Sequence, residues 1–164
     1  MSALQLVFLT LLTALLVAAI GFTAVTVRAA LAVNERAEPS GWRDRISRAT
    51  ERDAQGWAFV LHRATGVAVF AFLALHIFDV SLYAVSATRF DDVHSLYGAT
   101  PMRLFESLLL FGILFHAFNG LRLVALDLID VSTAAASRML HVAVGLSLVL
   151  GVAASAVILQ PVLT

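Results

Sequence analysis

The sequence predicts an all-α fold: a transmembrane helical bundle with four membrane-spanning helices, one extra N-terminal helix followed by a three-helix core. Three observations predict it. The chain is 60% hydrophobic and only 13% charged, with a mean hydropathy of +0.91, a profile suited to lipid rather than water. Four apolar runs approach the roughly 20 residues a helix needs to cross a hydrocarbon core about 30 Å thick. Turn and charge material separates them at Asn34 to Gln55, Ser86 to Met102 and Asp130 to Arg138. The formal net charge of zero points to no nucleic-acid partner. The absence of cysteine excludes disulfides, haem attachment through CxxCH and protein-ligated iron–sulfur clusters.

The first run spans about Ala3 to Val27. Small residues near its end (Ala29, Ala30, Ala32) resemble a signal-peptide cleavage site, but no Lys or Arg precedes the run and it exceeds the usual short apolar region, so a retained helix is expected. The second run covers Thr65 to Val85, the third Leu104 to about Ile129, the fourth Met139 to Leu163. Three segments follow: residues 1–33 as the extra helix, 34–56 as an Arg-rich connecting segment, and 57–164 as the three-helix anchor domain.

Arginine placement orients the bundle, because positively charged short loops tend to stay cytoplasmic. Arg28, Arg36, Arg43, Arg45, Arg48, Arg52 and Arg63 all lie between the first and second runs. The N-terminus is therefore expected outside, and the third helix runs from outside to inside. Within the connecting segment, Trp42, Ile46 and Ala49 in 42-WRDRISRATERD-53 fit either a short amphipathic helix on a membrane or partner surface or a solvated loop.

The third run, 111-FGILFHAFNGLRLVALDLID-130, carries polar groups at helical spacing. From His116, Gly120, Leu123 and Asp127 return to nearly the same face at 100° per residue, with Asn119 beside them. Such a stripe faces a bundle interior, since ionisable groups in lipid are expensive and glycine admits a bulky neighbour. His116 near mid-span suits an axial haem ligand or an interhelical hydrogen bond. In the second helix, 57-WAFVLHRATGVAVFAFLALHIFDVSLY-83, His62 and Arg63 sit at the inner entrance. Arg63 offers a fixed charge and forked donors for a carboxylate or carbonyl, and His62 can move protons. His76 lies within about 40° of the His62 face and about 21 Å deeper.

The segments 61-LHRATG-66 and 116-HAFNGLRLVALD-127 resemble the HRxTG and H-x-x-N-G-x-R-x-x-x-x-D signatures of the cytochrome b membrane anchor of succinate dehydrogenase, respiratory complex II. Residues 75-LHIFDVSLY-83 and 94-HSLYGATPMRLFE-106 also resemble actinobacterial-type members, and the likeness covers about Gly56 to Leu163. The resemblance implies a membrane anchor that binds haem b through His116 at the iron and helps form a quinone site, for menaquinone or ubiquinone. It places His62, Arg63 and Arg122 near the haem propionates or the quinone. It also implies an iron–sulfur subunit, a flavoprotein subunit, a companion membrane anchor, a location in the inner (plasma) membrane and, among its open outcomes, a higher oligomer. Leu123, where the family often has histidine, and Phe59, where it often has serine, depart from the pattern. The extra N-terminal helix has no counterpart in the usual three-helix anchor.

No Rossmann glycine fingerprint, P-loop or nucleophile constellation is present, so the succinate chemistry is expected on another subunit. Arg63 is the expected polariser of a quinone carbonyl. Trp57 and Phe59 either pack on the quinone ring or anchor the helix at the interface. His76 has three readings: a ligand of the same haem, a ligand of a second haem, or a hydrogen-bonded residue with Asp79 or Tyr83 as partner. His94 is expected in a solvated outer loop, and His141 at the start of the last helix. Two further functions remain open on the residues: a haem-b anchor of fumarate reductase or another quinone-linked dehydrogenase, and a haem-free helical assembly module.

Overall fold

The computed structural model describes residues 1–34 and 42–163, excluding the side chains of Val27, of 30–53 and of Leu163. Apolar runs become helices because, in lipid, each backbone N–H and C=O must find its partner within the segment. The described residues form α1 (Ala3–Asn34), α2 (Trp42–Val85), α3 (Ala87–His94), a 3₁₀ turn (Ser95–Gly98), α4 (Thr100–Leu128) and α5 (Thr133–Leu163), with no strand among them. Four of these helices contain stretches long and apolar enough to span a membrane: Ala3–Thr26, Ala54–Val85, Thr100–Leu128 and Thr133–Val162. The expected all-α four-span bundle is the observed one. Its helices run beyond the apolar cores, since their last turns can enter the polar interface.

Residues 42–53 continue without a break into α2. Whether that stretch presents an amphipathic face lies outside the described side chains, as do residues 35–41 altogether.

α2 is central. It packs against α1 on one side and α4 on another, while α4 makes the most extensive pairing of the bundle with α5. A glycine permits that pairing: a Cβ at Gly151 would overlap the Phe111 ring of α4. Two turns nearer the open end of the same hairpin, Arg103 donates to the Ile158 carbonyl at 3.0 Å. In α1 the hydroxyls are satisfied locally, Thr10 by Leu6 O, Thr13 by Leu9 O and Thr23 by Ala19 O. The remaining outward faces are apolar, as lipid requires, and include Ile20, Phe70, Leu108 and Val149.

The Ser86–Met102 separator is folded more fully than its composition suggested. α3 and the 3₁₀ turn cap one end of the bundle, with Val93 fully buried against Phe8, Leu75 and Met102. The start of α1 is fastened to this cap. Ser2 Oγ donates to the Asp92 carboxylate, the Gln5 amide donates to Asp92 O at 2.9 Å, and Phe8 packs on Tyr97 with ring centroids 6.0 Å apart.

Candidate functional site

The site forms between α2 and α4, at the end of the bundle away from the α3 cap. The HRxTG segment puts His62, Thr65 and Gly66 within one helical turn of α2, and the third run puts His116, Asn119 and Gly120 within a turn of α4. Facing each other, the His62 and His116 rings stack in parallel, with centroids 4.1 Å apart and planes inclined by 1°. His116 Nδ1 lies 3.0 Å from the His62 carbonyl oxygen. A carbonyl can only accept, so Nδ1 carries the proton and Nε2 keeps the lone pair. Thr65 Oγ1 stands 3.4 Å from the same Nδ1.

Gly66 makes room for this arrangement. A Cβ there would come within 2.9 Å of His116 Cε1, closer than real contacts allow. Gly120 faces His62 in the same way, at an ordinary contact distance of 3.4 Å. Of the predicted stripe, His116, Asn119 and Gly120 turn toward α2, Leu123 is half-buried, and Asp127, near the helix end, is exposed instead of facing the interior.

One turn further along α4, Arg122 is only 5% exposed. Its Nε donates to the Ala136 carbonyl of α5 at 3.2 Å, Nη1 to Asn119 Oδ1 at 3.2 Å, and Nη2 to Gln55 Oε1. Arg122 therefore ties three helices together through neutral acceptors. Two buried polar atoms beside it lack a hydrogen-bond partner, His62 Nδ1 and Asn119 Nδ2. Unsatisfied groups of this kind are rare in a buried setting and mark a place where another polar atom is expected.

Arg63 points elsewhere: it is exposed, its guanidinium carbon 4.3 Å from the Phe59 ring centroid. Phe59 and Trp57 are about half exposed on α2. These three residues do not converge on the stacked histidines, but occupy the outer surface beside them. His76 is also exposed, stacked on Phe72 at 5.5 Å. His141 and Asp127 are exposed near the helix ends.

Sequence reading offered Asp79 and Tyr83 as partners of His76, and neither is in that role. Asp79, 2% exposed, faces His94 Nδ1 at 3.6 Å and accepts from Tyr97, while Tyr83 packs edge-on against Phe90. His94 closes α3 and does not stand in a loop, but its side chain is solvent-exposed as expected. Burial, with the Asp79 and Glu106 carboxylates and the hydrogen bond to Asp79, pushes the Tyr97 hydroxyl up to about 12.

Gln55 was missed by sequence reading. Its one signal is its position seven residues, two helical turns, before His62. No cluster of three or more His, Cys, Asp or Glu that could hold a bare metal ion occurs among the described residues.

A stacked, half-buried histidine pair between two of the four apolar spans, beside a buried arginine held by neutral partners, defines an integral-membrane subunit with a polar site between its helices. The chain belongs to the succinate dehydrogenase/fumarate reductase transmembrane subunit family, whose family model matches residues 45–154. That range holds the candidate residues of α2 and α4 and leaves α1 outside it. Over 71 residues the chain is 35% identical to the succinate dehydrogenase 2 membrane subunit SdhC of Mycobacterium tuberculosis, covering 43% of this chain and 52% of that protein. The chain thus spans about half the length of the curated relative it matches.

Proposed function

We propose that this multi-pass membrane protein is the haem b-binding anchor of a succinate:quinone oxidoreductase. In this reading it performs no succinate chemistry itself. It seats an iron–sulfur subunit, which receives electrons from a flavoprotein subunit, and pairs with a second membrane anchor. The family match, together with the named function of the mycobacterial relative, supports succinate dehydrogenase in particular. The Arg-rich stretch between the first two spans supports an N-terminus outside the plasma membrane.

The observation that carries the cofactor reading is the bond between His116 Nδ1 and the His62 carbonyl, which fixes the tautomer and leaves Nε2 free to ligate iron. The residues fit haem better than a bare metal, because one oriented imidazole suffices on this side and the buried His62 Nδ1 and Asn119 Nδ2 await polar partners such as propionates. His76 is turned outward onto Phe72, so any further protein ligand for the iron would be supplied by the companion anchor. When bound, haem b supplies one-electron redox capacity beside the quinone.

Arg63 and Phe59, with Trp57, form the quinone-facing surface at the same end. Arg63 polarises a quinone carbonyl by charge-assisted donation, and the aromatic rings offer stacking area. His62 relays a proton from the inner water.

The test is spectroscopic and kinetic. His116→Ala should abolish the low-spin haem b band in a reduced-minus-oxidised spectrum of the assembled complex; a normal band would refute the ligand assignment. Arg63→Ala should slow quinone reduction about 10²-fold or more while succinate oxidation with an upstream dye acceptor is retained. For orientation, single cysteines at Thr88 and Ser132 suit a chain that has none of its own. An impermeant thiol reagent applied to intact cells should label position 88 and spare position 132.

A further inference from the structure

On the other side of α4 from the histidine pair lies an open groove of about 510 Å³ between α4 and α5. Phe118, Leu121 and Arg122 form one wall, and a stripe of α5 that includes Arg138, Val142 and Leu146 forms the other. The three α4 residues stand about 120° to 160° round the helix from His116, so the groove opens away from the stacked histidines and shares only Arg122 with the site described above. Its chemistry is lopsided: two arginines occupy one end, no acidic residue lines it, and the rest is almost wholly apolar.

The two arginines differ in a useful way. Arg122 is held by Gln55, Asn119 and Ala136 O and cannot swing out to water, so it is a fixed positive charge in the groove wall. Arg138 is exposed, makes one long bond of 3.5 Å from Nε to Ala134 O, and has no carboxylate partner among the described residues. Its terminal nitrogens are available to an anion at the groove mouth.

Dimensions select the kind of anion. The α5 wall runs from Ala135 to Leu146, about 16 Å at helical rise. That is about half of a hydrocarbon core about 30 Å thick, the depth of one leaflet. A transmembrane helix of a partner would need cover along the whole span, and a small soluble anion would leave the apolar length unused. One lipid molecule uses both features.

We propose that this groove is a binding site for an anionic phospholipid, its phosphate on Arg138 with Arg122 behind it, and one acyl chain lying along Val142 and Leu146. Basic residues between transmembrane helices at the headgroup level are suited to this role. The proposal requires the membrane setting of the family but not the haem or quinone assignments.

The intact complex, exchanged into detergent and titrated with phosphatidylglycerol, tests it by native mass spectrometry. Wild-type complex should retain phosphatidylglycerol and not phosphatidylcholine, and Arg138→Gln should weaken retention about fivefold or more. Arg138→Lys should restore much of it, and Val142→Trp, which fills the groove with both arginines intact, should abolish it. The mass of the intact complex in the same spectra reports that each variant is assembled, and a groove-filling variant that fails to assemble is replaced by Leu146→Trp. Three results would overturn the proposal: equal retention in Arg138→Gln, equal retention of phosphatidylcholine, or competition by millimolar inorganic phosphate alone. A photo-crosslinker at Val142 that captures a subunit of the complex in place of lipid would also do so, by assigning the groove to protein.

Discussion

His116 gives its Nδ1 proton to the backbone carbonyl of His62, 3.0 Å away, while the two rings lie stacked 4.1 Å apart. A backbone carbonyl cannot be removed by a side-chain substitution at position 62. The orientation of His116 therefore depends on how closely α2 and α4 approach, which Gly66 sets.

Gly66→Ala should displace the His116 ring, because the added Cβ would stand 2.9 Å from Cε1. Overpacking of this kind costs about 1–3 kcal/mol. The expected outcome is a lower melting temperature with a weakened or shifted haem band. Gly56→Ala, at a helical glycine with nothing within 4 Å, should leave the haem band unchanged and should not lower the melting temperature. An unchanged spectrum for Gly66→Ala would remove the glycine from the argument.

Arg122→Lys keeps the charge and loses the fork. A lysine cannot donate simultaneously to Gln55, Asn119 and the Ala136 carbonyl as the guanidinium does. With bonds to charged groups contributing about 1.5–3 kcal/mol each, loss of one of them should destabilise the bundle by about 1.5–3 kcal/mol. Chemical denaturation in detergent measures it, and Gln55→Ala should be much less than additive with Arg122→Lys.

Gly151→Ala should loosen the α4–α5 pairing, since its Cβ would overlap the Phe111 ring. A cost of about 1–3 kcal/mol is expected, and Phe111→Leu in the same chain should recover part of it. Gly145→Ala, with open space around it, should be neutral or stabilise by up to about 1 kcal/mol. Thermal melts of the four proteins decide this.

Tyr97 should titrate near pH 12 in the folded protein, as burial and Asp79 dictate. A raised folded-state value means that the protonated hydroxyl is the favoured form. Its contribution is whole below the ordinary tyrosine value of about 10 and is lost as pH rises through about 12. Tyrosinate absorbance in a Tyr83→Phe background isolates the group, because the chain has two tyrosines. Asp79→Asn should bring the midpoint down; an unmoved midpoint would exclude the Asp79 carboxylate as a cause.

The four spans were legible because lipid imposes a minimum apolar length, and Ala3, Val85 and Leu163 ended or began helices close to the expected places. α3 was not legible: eight residues, ATRFDDVH, carry no long period, and only packing of Val93 against Phe8 and Met102 shows why they fold. Periodicity brought out His116, Asn119 and Gly120 as one face. It gave no hint of the Ala136 carbonyl on Arg122, because backbone acceptors have no sequence signature. Nor did it show that Asp79 turns to His94 and not to His76, since that choice depends on where α3 lies.

The fastening of α1 has a consequence for biogenesis. Its polar contacts reach Asp92, eighty-seven and ninety residues ahead along the chain, and its aromatic contact reaches Tyr97. During synthesis α1 enters the bilayer long before those residues leave the ribosome. The polar contacts of its first turn must wait until α2 and the cap have been made. Packing of α1 on α2 can therefore precede the cap, whereas the fastening of its first turn is completed only after α3 has been translated.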